Sequence, residues 1–141
     1  MKVLFDTNVV LDLLLAREPF VNNAAVLFSA VEQGRIDGSL CATTVTTLDY
    51  LLTKGIGRER ARVALESLFQ LFAICPVDRD VLLQALNSDF TDFEDAVIYF
   101  SGEKVGVDAL LTRNAKDFTA ARSNVYSPEQ LMEELRSRNE I

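Results

Sequence analysis

Lys2-Val3-Leu4-Phe5-Asp6-Thr7-Asn8 opens the chain with an apolar run that stops abruptly on an acid, a hydroxyl and an amide. Such a run reads as a short buried strand, with a parallel sheet as its natural setting. Asp6 and Asn8 carry oxygens that can ligate a hard metal ion, so the carboxyl end of this strand reads as the opening of a site. In open α/β sheets, ligands bind in the crevice at the strands' carboxyl ends. The same chemistry returns late in the chain, at Asp92-Phe93-Glu94-Asp95 and at Thr112-Arg113-Asn114-Ala115-Lys116-Asp117-Phe118. Two of these three acid-bearing segments directly follow strand-like runs, which points to an acidic metal site.

Between the segments, strands and helices alternate. Strands are expected over 2–5, 39–42, 73–77 and 108–111, and helices over 10–15, 19–33, 45–54, 58–72 and 79–87. The 58–72 helix has the clearest apolar stripe, predicted to bury Ala61, Leu65, Leu68, Phe69 and Phe72. Thr91-Asp92-Phe93-Glu94 matches a capping box, with Thr91 as N-cap and Glu94 reaching back, for a helix running to about residue 104. Ser127-Pro128-Glu129-Gln130 matches a second one, with proline at the first helical position. This alternation favours an α/β fold, a central parallel sheet covered on both faces.

Composition removes several chemistries. The chain has no histidine, which excludes Ser-His and Cys-His nucleophiles and histidine-bound metals. Cys41 and Cys75 sit singly in apolar stretches and read as buried reduced thiols. Carboxylate, amide and water oxygens remain, a donor set that suits magnesium or manganese. With 141 residues, 49% of them hydrophobic, a single domain spanning 1–141 is expected. No signal-like leader or bilayer-length apolar run is evident, so a soluble cytoplasmic protein without a membrane partner is expected. The net charge of −7 argues against a nucleic-acid coat protein, which needs a basic face. It leaves room for an enzyme acting on nucleic acid, because bound divalent ions neutralise clustered carboxylates. Lys54, Arg58, Arg60 and Arg62 form one basic stretch, read first as the solvated face of a helix. Arg113 and Lys116 form another.

The acids between 92 and 95 separate by task. The capping box occupies Glu94. Asp92 and Asp95, three residues apart, share one face of the helix start. Asp92 has a sufficient reason to be there in the helix dipole, worth about 0.3–1 kcal/mol. Asp95 lies a turn in, beside the core-like Phe93, Ala96, Val97 and Phe100, and metal binding explains it better.

Taken together, Val3-Leu4-Phe5-Asp6-Thr7-Asn8, Asp92-Phe93-Glu94-Asp95-Ala96 and the 111–118 segment closely resemble the PIN-domain nucleases, and among them the VapC-type toxins of bacterial toxin–antitoxin pairs. The resemblance spans essentially the whole chain, in order. It implies a three-layer α/β/α sandwich and metal-dependent hydrolysis of RNA phosphodiesters with Mg2+ or Mn2+. A cognate antitoxin is the implied partner, with a homodimer as one assembly left open. Residue by residue, Asp6, Asp95 and Asp117 correspond to metal-binding acids, with Asp92 beside them at the rim. Asn8, Thr112 and Asn114 correspond to supporting polar positions. The family's second acid falls at or near Thr47, which is not acidic. Asp49, two residues on and roughly 200° around a helix, is the candidate substitute if its helix turns it toward Asp6 and Asp95. Otherwise the site runs with fewer carboxylates and a Thr47 hydroxyl. Two other classes compete: a PIN-like domain that only binds, and a phosphatase with Asp6 as nucleophile, in the manner of the haloacid dehalogenases. The second normally carries another Asp where this chain has Asn8.

Overall fold

In the computed structural model, which describes residues 1–121 and 124–141, the opening run forms strand β1 (Lys2–Phe5). It becomes the centre of a five-stranded sheet with β2 (Asp37–Cys41), β3 (Ala73–Cys75), β4 (Ala109–Leu111) and β5 (Asn124–Tyr126). The order is β3-β2-β1-β4-β5 and every pairing is parallel. Leu4 stands in register with Ser39 on one side and Leu110 on the other. Strand order reverses beside β1: the chain first builds outward through β2 and β3, then crosses to β4. In sheets of this kind such a reversal marks the carboxyl ends of the two strands beside it, here β1 and β4, as the place where ligands bind.

The pleat sends alternate side chains into two cores. Val3 and Phe5 enter one, Leu4 the other; Leu111 and Leu110 divide the same way. The first core is closed by α1 (Thr7–Leu14), α2 (Val21–Glu32), α3 (Ala42–Ile56), α4 (Arg58–Leu71) and α7 (Pro128–Ser137). Phe5, Phe28 and Phe72 meet there edge to face, with ring centroids 5.0–5.7 Å apart. The second core is closed by α5 (Arg79–Leu86) and α6 (Phe93–Val105). The result is the three-layer α/β/α sandwich expected from sequence. No helix among the described residues is long and apolar enough to cross a membrane.

Two features bring α6 to the site. Gly102 is buried where a β-carbon would lie 2.8 Å from Leu4 Cδ2 and 2.9 Å from Val107 Cγ2, so glycine lets α6 approach β1 without displacing those side chains. Gly106, left-handed at φ 77°, ends the helix and turns the chain into β4.

Several boundaries differ from expectation. Helix α1 begins at Thr7, three residues early, because the Asp6 carboxylate caps it by accepting from the Thr7 N–H at 2.8 Å. The cap of α6 is Asp92, not Thr91: its Oδ1 accepts from the Asp95 N–H at 2.9 Å. Glu94 is therefore free of the capping task assigned to it, and acts on its neighbours by charge. The Ser127–Gln130 capping box forms as expected. Phe69, expected in the core, is 57% exposed at the rim of the groove between α3 and α4, and Leu65 is only part-buried, because Ala61 and Leu68 take the inward positions of α4. Strand β5 and the 3-10 turn Ala115–Phe118 were not expected at all.

Candidate metal centre

Asp6 ends β1 and caps α1, so its backbone lies at the crevice and its side chain is 6% exposed. Both carboxylate oxygens are engaged. Oδ1 takes the Thr7 N–H, and Oδ2 takes the Thr112 hydroxyl at 2.7 Å. Thr112 is itself fully buried at the end of β4, and its oxygen accepts from the Asn114 N–H at 3.1 Å. These donors favour the charged form, yet burial outweighs them and pushes the Asp6 carboxyl above its ordinary range; the charges of Glu94 and Asp117 push the same way.

Asp95 lies on the first turn of α6, half-buried and within the electrostatic reach of Asp6. Its carboxyl is raised to about 7, first by burial and then by the charges of Asp92, Asp6, Asp117 and Glu94. Asp117 is carried on the 3-10 turn after β4, its N–H held by the Asn114 carbonyl at 2.9 Å. Three segments distant in sequence thus bring five carboxylates into one electrostatic field. Among the described residues, however, no three acid or thiol side chains are gathered closely enough to grip an ion as they stand. The acids fit a hard divalent ion by donor chemistry and by the repulsion it would relieve, rather than by an already closed cage.

Asn8 ties the start of α1 to the segment after β4, its Oδ1 accepting from the Arg113 N–H at 3.4 Å. Asn114 contributes through its backbone, and its side chain is exposed. Asp49 is not brought to these acids. It lines a groove between α3 and α4 with Arg62, Glu66 and Phe69, and is not among the charges acting on Asp6 or Asp95. The Thr47 hydroxyl donates to the Thr43 carbonyl at 3.1 Å. It is Thr44, fully buried, whose hydroxyl meets Thr7 Oγ1 at 3.2 Å beside Asp6. A separate cleft of about 590 Å³ runs between α5 and α6 past Tyr99, Phe100 and Lys104, along α6 rather than over the acids.

Sequence reasoning missed Asp12. It is 1% exposed and bonded to two arginines, Arg17 at 3.0 Å and Arg113 at 2.6 Å. The signal was an acid inside an otherwise apolar helix, which needs a cationic partner when buried.

Comparison with known proteins follows the same lines. A family model described as PIN domain matches residues 2–116. No curated protein matches the chain. Among solved structures, it is similar to a toxin–antitoxin complex from Klebsiella pneumoniae at 26% identity, covering 89% of this chain and 97% of that one, with a TM-score of 0.67. FitAcB from Neisseria gonorrhoeae aligns at 23% identity over 90% and 98%, with a TM-score of 0.67. VapC20 from Mycobacterium tuberculosis, described as a Sarcin-Ricin loop cleaving toxin, aligns at 17% identity over 77% and 86%, with a TM-score of 0.62.

Proposed function

Because the chain belongs to the PIN-domain family, we propose that it is a divalent-metal-dependent endoribonuclease of the VapC type, the toxin of a bacterial toxin–antitoxin pair. What supports the proposal is that the charges of Asp6 and Asp117, carried after the neighbouring strands β1 and β4, both act on Asp95 beside the reversal of strand order. Asp6, Asp95 and Asp117 would hold Mg2+ or Mn2+, with Asp92 at the rim. When bound, such an ion activates water and stabilises charge on the phosphate and the departing oxygen. The chain's own part is to fix the donors. Thr7 and Thr112 orient both oxygens of Asp6, and Asp92, by capping α6, fixes the backbone from which Asp95 projects. Asp6 is read as a ligand rather than a phosphatase nucleophile because the second Asp that such phosphatases carry two residues on is Asn8 here.

RNA as substrate and a cognate antitoxin as partner follow from the family and from the toxin–antitoxin complexes that share the fold. Purified protein should cleave RNA in Mg2+ or Mn2+, stop in excess chelator, and lose activity as Asp6→Asn or Asp95→Asn with the fold intact. Full cleavage by both variants, or in chelator, rejects the proposal. A second reading, a PIN-like domain that only binds, is favoured by one observation: the position expected to carry the second acid is Thr47, and Asp49 does not replace it. That reading requires RNA binding without cleavage in either metal.

A further inference from the structure

Asp12 lies on α1 six residues after Asp6, with its carboxylate withdrawn from water. Its Oδ1 accepts from Arg17 Nε at 3.0 Å and from Arg113 Nη2 at 3.3 Å; its Oδ2 accepts from Arg113 Nε at 2.6 Å. Arg113 comes from the junction between β4 and the 3-10 turn, 101 residues away. Its guanidinium also lies 3.9 Å from the Phe20 ring centroid, and its N–H reaches Asn8. Arg113 is therefore pegged to α1 by side chain and backbone together. On one side of it stands Thr112, whose hydroxyl holds Asp6; on the other stands Asn114, whose carbonyl holds the Asp117 N–H. The peg sits between two of the acids.

We propose that Asp12 is a positioning residue: acting through Arg113, it holds the 114–118 turn, and with it Asp117, against the carboxyl end of β1. Its consequence for metal binding and cleavage rests on the function proposed above; the tether itself does not. A bidentate guanidinium fixes direction as well as distance, which a lysine ammonium cannot do. Loss of a group bonded directly to a metal ligand typically costs about 10–100-fold in affinity or activity; Arg113 reaches Asp117 only through the intervening backbone, so the lower end of that range is expected.

The test replaces Arg113 with lysine, which keeps the charge and removes the fork. A second variant, Asp12→Asn with Arg113→Gln, removes both charges of that pair together and serves if the first fails to fold. Amide hydrogen exchange is read at Asn114 and Asp117, followed by Mn2+ titration and cleavage of a short RNA. The expected result is exchange at least about tenfold faster at those two amides, with unchanged exchange in the middle of α1. Mn2+ affinity and kcat should each fall about tenfold, with KM unchanged, because Asp12 touches neither ion nor substrate. Unchanged exchange overturns the proposal. Faster exchange with parental Mn2+ affinity overturns it as well. Failure of the nuclease reading looks different: the parent protein then neither binds Mn2+ nor cleaves, while exchange still reports whether the tether exists.

Discussion

Asp95 sits half-buried on the first turn of α6, facing Asp92, Asp6, Asp117 and Glu94, and its carboxyl holds a proton up to about pH 7. Between the ordinary value of 3.8 and about 7 the folded chain binds this proton and the unfolded chain does not. Stability from this group is therefore present at low pH and lost as pH rises through that window. Asp6, also raised, adds in the same direction. In chelator, Asp95→Asn should flatten the fall of Tm between pH 4 and pH 8 and raise Tm at the upper end; a parental profile in the variant contradicts the assignment. Thr112→Val keeps the shape but deletes the donor to Asp6 Oδ2. It should weaken Mn2+ binding about tenfold and cost about 1–2 kcal/mol in denaturant unfolding. Asp49→Ala should leave cleavage unchanged, because Asp49 faces α4 rather than the acids. A loss of activity in that variant would mean that α3 moves on binding.

Gly102 is where α6 comes closest to Leu4 of β1, so a change there can shift the helix and Asp95 with it. Gly102→Ala would drive a methyl toward Leu4 and Val107 and should cost about 1–3 kcal/mol in unfolding free energy. It should also weaken Mn2+ binding by displacing Asp95; unfolding cost without any change in affinity would separate the two effects. The elements with strong local patterns were legible in sequence: β1 from its apolar run, α2 and α4 from their stripes, α7 from its capping box. Elements that depend on distant partners were not. Strand β5 has only three residues, Asn124–Tyr126, and exists by pairing with β4. The cap of α6 was placed one residue early because Thr91 and Asp92 are both good caps; the backbone chose Asp92. At the site, Asp6 and Asp95 stood out because each is an acid at a strand end or helix start, and Asp117, on a 3-10 turn beyond β4, through the family resemblance of its segment. Asp12 did not, because its partners lie 5 and 101 residues away and no local pattern joins them.

Across the whole molecule, a parallel sheet with its order reversal beside β1 places Asp6 and Asp117, more than a hundred residues apart, after the carboxyl ends of two neighbouring strands. A net charge of −7 would repel RNA at long range, so the proposed binding near these acids would depend on divalent ions that cancel local charge. RNA affinity should therefore rise when Mg2+ or Mn2+ is added at fixed ionic strength, and this gain should vanish in Asp6→Asn. All of these expectations rest on the acids forming one divalent-ion centre. Anomalous diffraction from crystals soaked in Mn2+ tests that most directly. The account predicts an ion ligated by Asp6, Asp95 and Asp117, absent from Asp6→Asn crystals soaked in the same way. An ion bound elsewhere, or none at the crevice in the parent protein, would contradict it.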